Sequence, residues 1–94
     1  MILERTEIEV HDSKAGDFAR IVMSDMAPLL RQCKGMRDVQ VLRGKENPSK
    51  FLLLIEWESL GAHHAAQSTP EHRKLRSMFG PFSKAAAMEH FKAL

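Results

Sequence analysis

The 94-residue chain carries 14 basic and 12 acidic side chains, a net charge of +2, mixed along its length, so it presents no electrostatic footprint for nucleic acid or an anionic membrane. One cysteine, Cys33, excludes an internal disulfide framework and points to a reducing, cytoplasmic setting, and no apolar run approaches the roughly 18 residues of a spanning helix. A single domain over residues 1–94 is expected; at this size it buries about 60–65% of its unfolded surface, which makes a covering partner an expectation as well.

Residues 2–11 read as a strand in which Ile2, Thr6, Ile8 and Val10 alternate with Leu3, Arg5, Glu7 and Glu9, giving an apolar face and a charged one. Glu4, Arg5 and Thr6 are polar groups that a dimer or pocket must satisfy or expose, and the blander reading makes Glu4, Arg5, Glu7 and Glu9 surface salt-bridge formers. His11, Asp12 and Ser13 supply cap chemistry for an amphipathic helix bearing Phe18, Ile21, Val22, Met26, Leu29, Leu30 and Cys33 at three- and four-residue spacing. Pro28 removes the amide that would bond back to Ser24 and predicts a kink or a split there, and Gly35 is the stop signal.

A mixed, edge-like strand follows over 36–43, then the turn sequence GKENPSK and a strand over 51–58 at hairpin distance. Phe51, Leu53, Ile55 and Trp57 face one side of that strand and Leu52 and Leu54 the other, so both faces require cover. Ser59 caps a helix over 60–67, Thr69-Pro70 starts another over 70–79, Gly80-Pro81 breaks it, and a last strand is expected over about 85–92. The order β-α-β-β-α-β predicts an α+β, ferredoxin-like fold, with a four-stranded antiparallel sheet and helices on one face. Its bare second face predicts a homodimer joined sheet to sheet.

His63 and His64 point about 100° apart on a helix, and only His63 shares the small-residue stripe of Ser59, Ala62 and Ala66; Leu60, His64 and Gln67 form the solvent stripe. An inward His63 is either a pocket base, because imidazole titrates near neutrality, or a core histidine bonded to a carbonyl. His72 shares a face with Leu75 and Phe79 and reaches toward the same cavity or lies exposed. Trp57, Met78, Phe79 and Phe82 make either an aromatic and thioether wall for a flat ligand or ordinary core. No helix face carries three metal ligands, so no metal is expected, and no phosphate loop, nucleophile elbow or dinucleotide fingerprint is present.

The run APLLRQCKGMRDVQVLRGKENPSKFLLLIEWESLGAHHAAQSTPEHRKL, residues 27–75, resembles the antibiotic biosynthesis monooxygenase (ABM) domain family, and GPFSKAAAMEHF fits its end. The shared features are the helix-interior proline followed by Arg31, Gly35, the Asn47-Pro48 turn, Trp57-Glu58-Ser59, and Ser68 to Glu71. The resemblance implies a dimeric α/β barrel whose members include cofactor-independent monooxygenases of phenols, quinol oxygenases and haem-degrading enzymes. It also places His63 where one oxygenase has a proton-handling tyrosine, Leu53 at the place of a pocket asparagine, and Trp57 as a shared strand tryptophan. Ala66 and Arg76 stand where the haem-degrading branch has a tryptophan and a histidine. Two expectations follow: a cofactor-independent monooxygenase of a small aromatic molecule with His63 as base and Trp57, His72, Leu53, Phe79, Met78 and Phe82 against the substrate, or a non-catalytic dimer binding a small molecule in the same cavity.

Overall fold

The computed structural model describes all 94 residues. Four strands, β1 (Ile2–Val10), β2 (Met36–Arg43), β3 (Lys50–Trp57) and β4 (Ser83–Phe91), form one antiparallel sheet in the order β2-β3-β1-β4. The helical segments α1 (Ala15–Ile21), α2 (Ala27–Arg31), α3 (Leu60–Gln67) and α4 (Pro70–Phe79) complete the ferredoxin-like α+β fold, and none is long and apolar enough to cross a membrane. Element boundaries expected from alternation and capping hold to within about two residues, which is the usual fraying at element ends.

Pro28 does not break the first helical region. A π-helical turn, Val22–Met26, is inserted ahead of it, with the Ala27 amide bonding to the Val22 carbonyl five residues back, and α2 then begins with Pro28 in its first turn. The extra residue in the ladder absorbs the missing proline amide, so the apolar face carries on through Phe18, Val22, Met26 and Leu30 without a break in burial. Gly35 ends the region with φ +86°, and a Cβ there would lie 2.7 Å from the Cβ of Ala62. Glycine is required on both counts, and its absence of side chain lets α3 sit close against the start of β2.

Val10, Phe18, Val22, Met26, Phe51 and Trp57 lie at the centre of the core between helices and sheet. Phe18 meets the Phe51 ring edge-on at 4.7 Å. On the other side of the sheet nothing covers Leu52 and Leu54; Leu42 stands beside Leu52 there, and Phe91 shares that face two strands away, with 39% and 43% of their surface exposed.

Candidate active site

The site is assembled by strand register. Across β1 and β4, Glu4 stands opposite His90; across β1 and β3 it stands opposite Ile55, which makes Trp57 its diagonal neighbour on the same face. Ser59 caps α3 by accepting the Ala62 amide at 3.0 Å, and the first turn of that helix lowers His63 between these residues. Glu4 is thus buried at 5% exposure and lines the cavity, the pocket alternative of the two that the sequence offers for it rather than the surface one. Its position in the alternation, in phase with Ile2 and Ile8, was the available signal.

Three donors converge on that carboxylate. Trp57 Nε1–H donates to Oε1 at 2.9 Å, His63 Nε2 lies 3.1 Å from the same oxygen, and the Thr6 hydroxyl donates to Oε2. Because a carboxylate only accepts, Nε2 of His63 carries a hydrogen, and its Nδ1 is left to accept from His90 Nε2 at 2.7 Å. Trp57 closes the other side of the imidazole, stacked at 4.7 Å and 15°. Burial pushes His63 below its ordinary pKa, helped by His90, His72 and His64 nearby, while Glu4 opposes the shift. Both ring nitrogens are therefore engaged inside the protein, by a carboxylate and a second histidine and not by a backbone carbonyl.

A cavity of about 260 Å³ lies between helices and sheet. Glu4, Thr6 and His63 meet it at one end, Leu53, Ile55 and Leu75 make apolar walls, and Phe79, Arg76 and Met88 lie around it toward α4 and β4. His72 lines it too, and its Nδ1 is the one buried side-chain polar atom in the protein with no hydrogen-bond partner. The Thr69 side chain, accepting the His72 amide at 3.3 Å, sets that residue in the first turn of α4, where it shares a face with Leu75 and Phe79. Burial, and then the Arg76 charge, hold His72 below its ordinary pKa, so the neutral ring, with one nitrogen free to accept, is favoured at neutral pH.

Of the residues expected against a substrate, Leu53, His63, His72 and Phe79 line this cavity and Trp57, Met78 and Phe82 do not. Trp57 is 0% exposed behind His63, where its indole fixes Glu4. Met78 is one position out of phase with Phe79 on α4 and packs on the core, and Phe82 turns toward Phe18 at 5.5 Å after the Gly80-Pro81 break. Gln67, read as a solvent-face residue, is half-buried and lines the cavity, because α4 folds back over that end of α3.

Solved structures with this fold include a Bordetella bronchiseptica protein carrying the antibiotic biosynthesis monooxygenase name, 23% identical over 99% of this chain and 96% of that one, with a TM-score of 0.87. SnoaB, a cofactor-independent oxygenase from Streptomyces nogalater, is 16% identical over 98% and 91%, at 0.83. A conserved protein from Methanosarcina mazei is 17% identical over 97% and 90%, also at 0.83. No curated protein gives a significant sequence match. The profile of the antibiotic biosynthesis monooxygenase family matches residues 1–77, most of the chain including the whole Glu4–Trp57–His63–His72 constellation, and the chain belongs to that family.

Proposed function

We propose that the protein is a cofactor-independent monooxygenase acting on a small aromatic compound, phenolic or quinol-like, in the cavity between helices and sheet. The observation that carries this reading is the buried, unpartnered Nδ1 of His72 in an apolar cavity beside the Glu4–His63 pair. A flat ligand with a hydroxyl donor satisfies that nitrogen, and the apolar walls of Leu53, Ile55, Leu75 and Phe79 suit its ring.

His72 accepts the hydroxyl proton, which makes the ring electron-rich enough to reduce oxygen itself. A carbon–oxygen bond forms, the peroxide gains a proton, and the O–O bond breaks as the same carbon gives up its hydrogen; one oxygen stays on carbon as a carbonyl, and the other leaves as water, balanced by the two hydrogens that the substrate loses. The sequence reading gave the first proton transfer to His63, but both of its nitrogens are occupied, so its role passes through Glu4. Arg76 supplies positive charge near the developing phenolate. The uncovered face bearing Leu42, Leu52, Leu54 and Phe91 supports a homodimer, and the lone buried Cys33 supports a cytoplasmic setting.

Oxygen uptake over a panel of naphthols, anthrones and quinols, with product mass under ¹⁸O₂, tests the reading. Uptake with incorporation of one labelled atom, lost in His72→Ala, is the expected result. Tight binding of a panel compound without any uptake overturns it in favour of a non-catalytic binding protein.

A further inference from the structure

His90 has no assigned role, lies on a strand whose other residues are mostly exposed, and does not line the cavity, yet it makes a 2.7 Å bond to the most buried histidine of the protein. We propose that Glu4, His63 and His90 form a proton path from the inner end of the cavity to solvent at the β4 edge of the sheet, with His90 as its outer station. The path is a property of the fold; its use in turnover rests on the oxygenase reading above.

The geometry supplies each link. Glu4 touches the cavity, His63 is 1% exposed and bonds Glu4 on one nitrogen and His90 on the other, and His90 is half-buried. His90 Nδ1 has no partner in the protein, and since the sole buried unpartnered atom is His72 Nδ1, that nitrogen meets water. The charged and titratable groups facing His63 are Glu4 from β1, His64 on its own helix, His72 from α4 and His90 from β4. Only Glu4 and His90 bond to it, so the chain does not branch at His63.

A proton moves inward in three hops from the tautomers present. Water or buffer protonates His90 Nδ1, the His90 Nε2 hydrogen passes to His63 Nδ1, and the His63 Nε2 hydrogen passes to Glu4 Oε1. The first hop breaks the donor's bond to hydrogen in water or buffer, the next two each break one N–H bond, every hop forms one new bond to hydrogen, and one net proton leaves the bulk for the carboxyl group. The reverse hops discharge it. In turnover one proton enters by these hops for the peroxide before its O–O bond breaks. The proton first taken up by His72 leaves through Glu4 by the reverse hops, which returns both imidazoles to their starting tautomers and balances the cycle.

The test is the exchange of the His63 Nε2 hydrogen with water, followed by ¹⁵N-edited NMR on the whole chain in wild type, His90→Gln and His64→Gln. Glutamine still offers an N–H to His63 Nδ1, preserving the tautomer, but its amide cannot relay. Exchange is expected to slow about tenfold or more in His90→Gln, to be restored by added imidazole, and to be unchanged in His64→Gln. Equal rates in wild type and His90→Gln, or the same slowing in His64→Gln, overturn the path. With a compound that the wild type oxidises, His90→Gln is expected to lower kcat about tenfold in dilute buffer at unchanged KM, with imidazole rescue. A wild type that oxidises nothing sinks the oxygenase reading, and the exchange measurement then decides the path alone.

Discussion

Removing the Glu4 carboxylate is the sharpest perturbation of this site. In Glu4→Ala two fixed ring donors, Trp57 Nε1–H and His63 Nε2–H, on residues no more than 1% exposed, lose their acceptor, while the Thr6 hydroxyl can rotate. An orphaned buried donor costs about 1–3 kcal/mol, so the substitution is expected to cost about 2–5 kcal/mol. That is a large share of the roughly 5–14 kcal/mol expected for a chain of this length. At about 4–8 °C per kcal/mol for a small domain, Tm should fall by roughly 8–40 °C. Glu4→Gln keeps an amide oxygen for both ring donors and exchanges charge-assisted for neutral bonds, a loss of about 1–2 kcal/mol. Asp17→Ala is the control: its 2.8 Å pair with Arg20 is exposed and should be worth about 0.5 kcal/mol or less. Urea and thermal unfolding at one protein concentration, followed by the fluorescence of Trp57, the sole tryptophan, measure all three. A cost for Glu4→Ala no greater than that for Asp17→Ala would refute the buried-carboxylate argument.

The remaining predictions test other parts of the structure. His72→Phe should lower turnover by about 10²–10⁴-fold yet leave stability unchanged or raised, because the orphaned nitrogen goes with the side chain; a large loss in the urea midpoint would return His72 to a structural role. His63 and His72 both have folded pKa values held below the ordinary one, so the unfolded chain binds more protons through that window. Stability from these residues is full above pH ~6.5 and is lost as pH falls through the folded values, so the urea midpoint should drop between pH 7.5 and 5.5, and a rise contradicts the shifts. Gly35→Ala meets both the φ of +86° and the 2.7 Å approach to Ala62, and calorimetry should show a cost of about 1–3 kcal/mol. Leu54→Lys sets a second cation directly opposite Arg5 on the uncovered face; light scattering should give twice the 10.7 kDa chain mass for wild type and the single mass for the variant. An unchanged mass in Leu54→Lys would remove this face from the proposed dimer.

Much of the fold follows from local rules that act over a few residues. Period-two alternation places β1 and β3, the Ser59 and Thr69 caps start α3 and α4, and Gly35 stops the first helical region, each visible without any partner in space. Such rules also distinguished His63 from His64, since the facing of a helix residue is set by its own helix and that helix's apolar stripe. The proline in the first helical region shows where they stop. Pro28 announces a defect in the ladder, but whether the chain kinks or inserts a π-helical turn depends on how Phe18, Val22, Met26 and Leu30 must all reach the same sheet.

The sequence by itself determined the order of elements, the face that each presents, and His63 as the inward histidine. Only tertiary structure decided what stands opposite those faces: Glu4 against Trp57 and His63, His90 across from Glu4, and His72 left with a free nitrogen. The reason is that periodicity specifies direction from one backbone axis, whereas partnership is set by strand register and by how closely α3 and α4 pack on the sheet. A slip of one residue between β1 and β4 would turn His90 to the opposite face and leave His63 Nδ1 without a partner. Long-range packing, not local spacing, makes that bond.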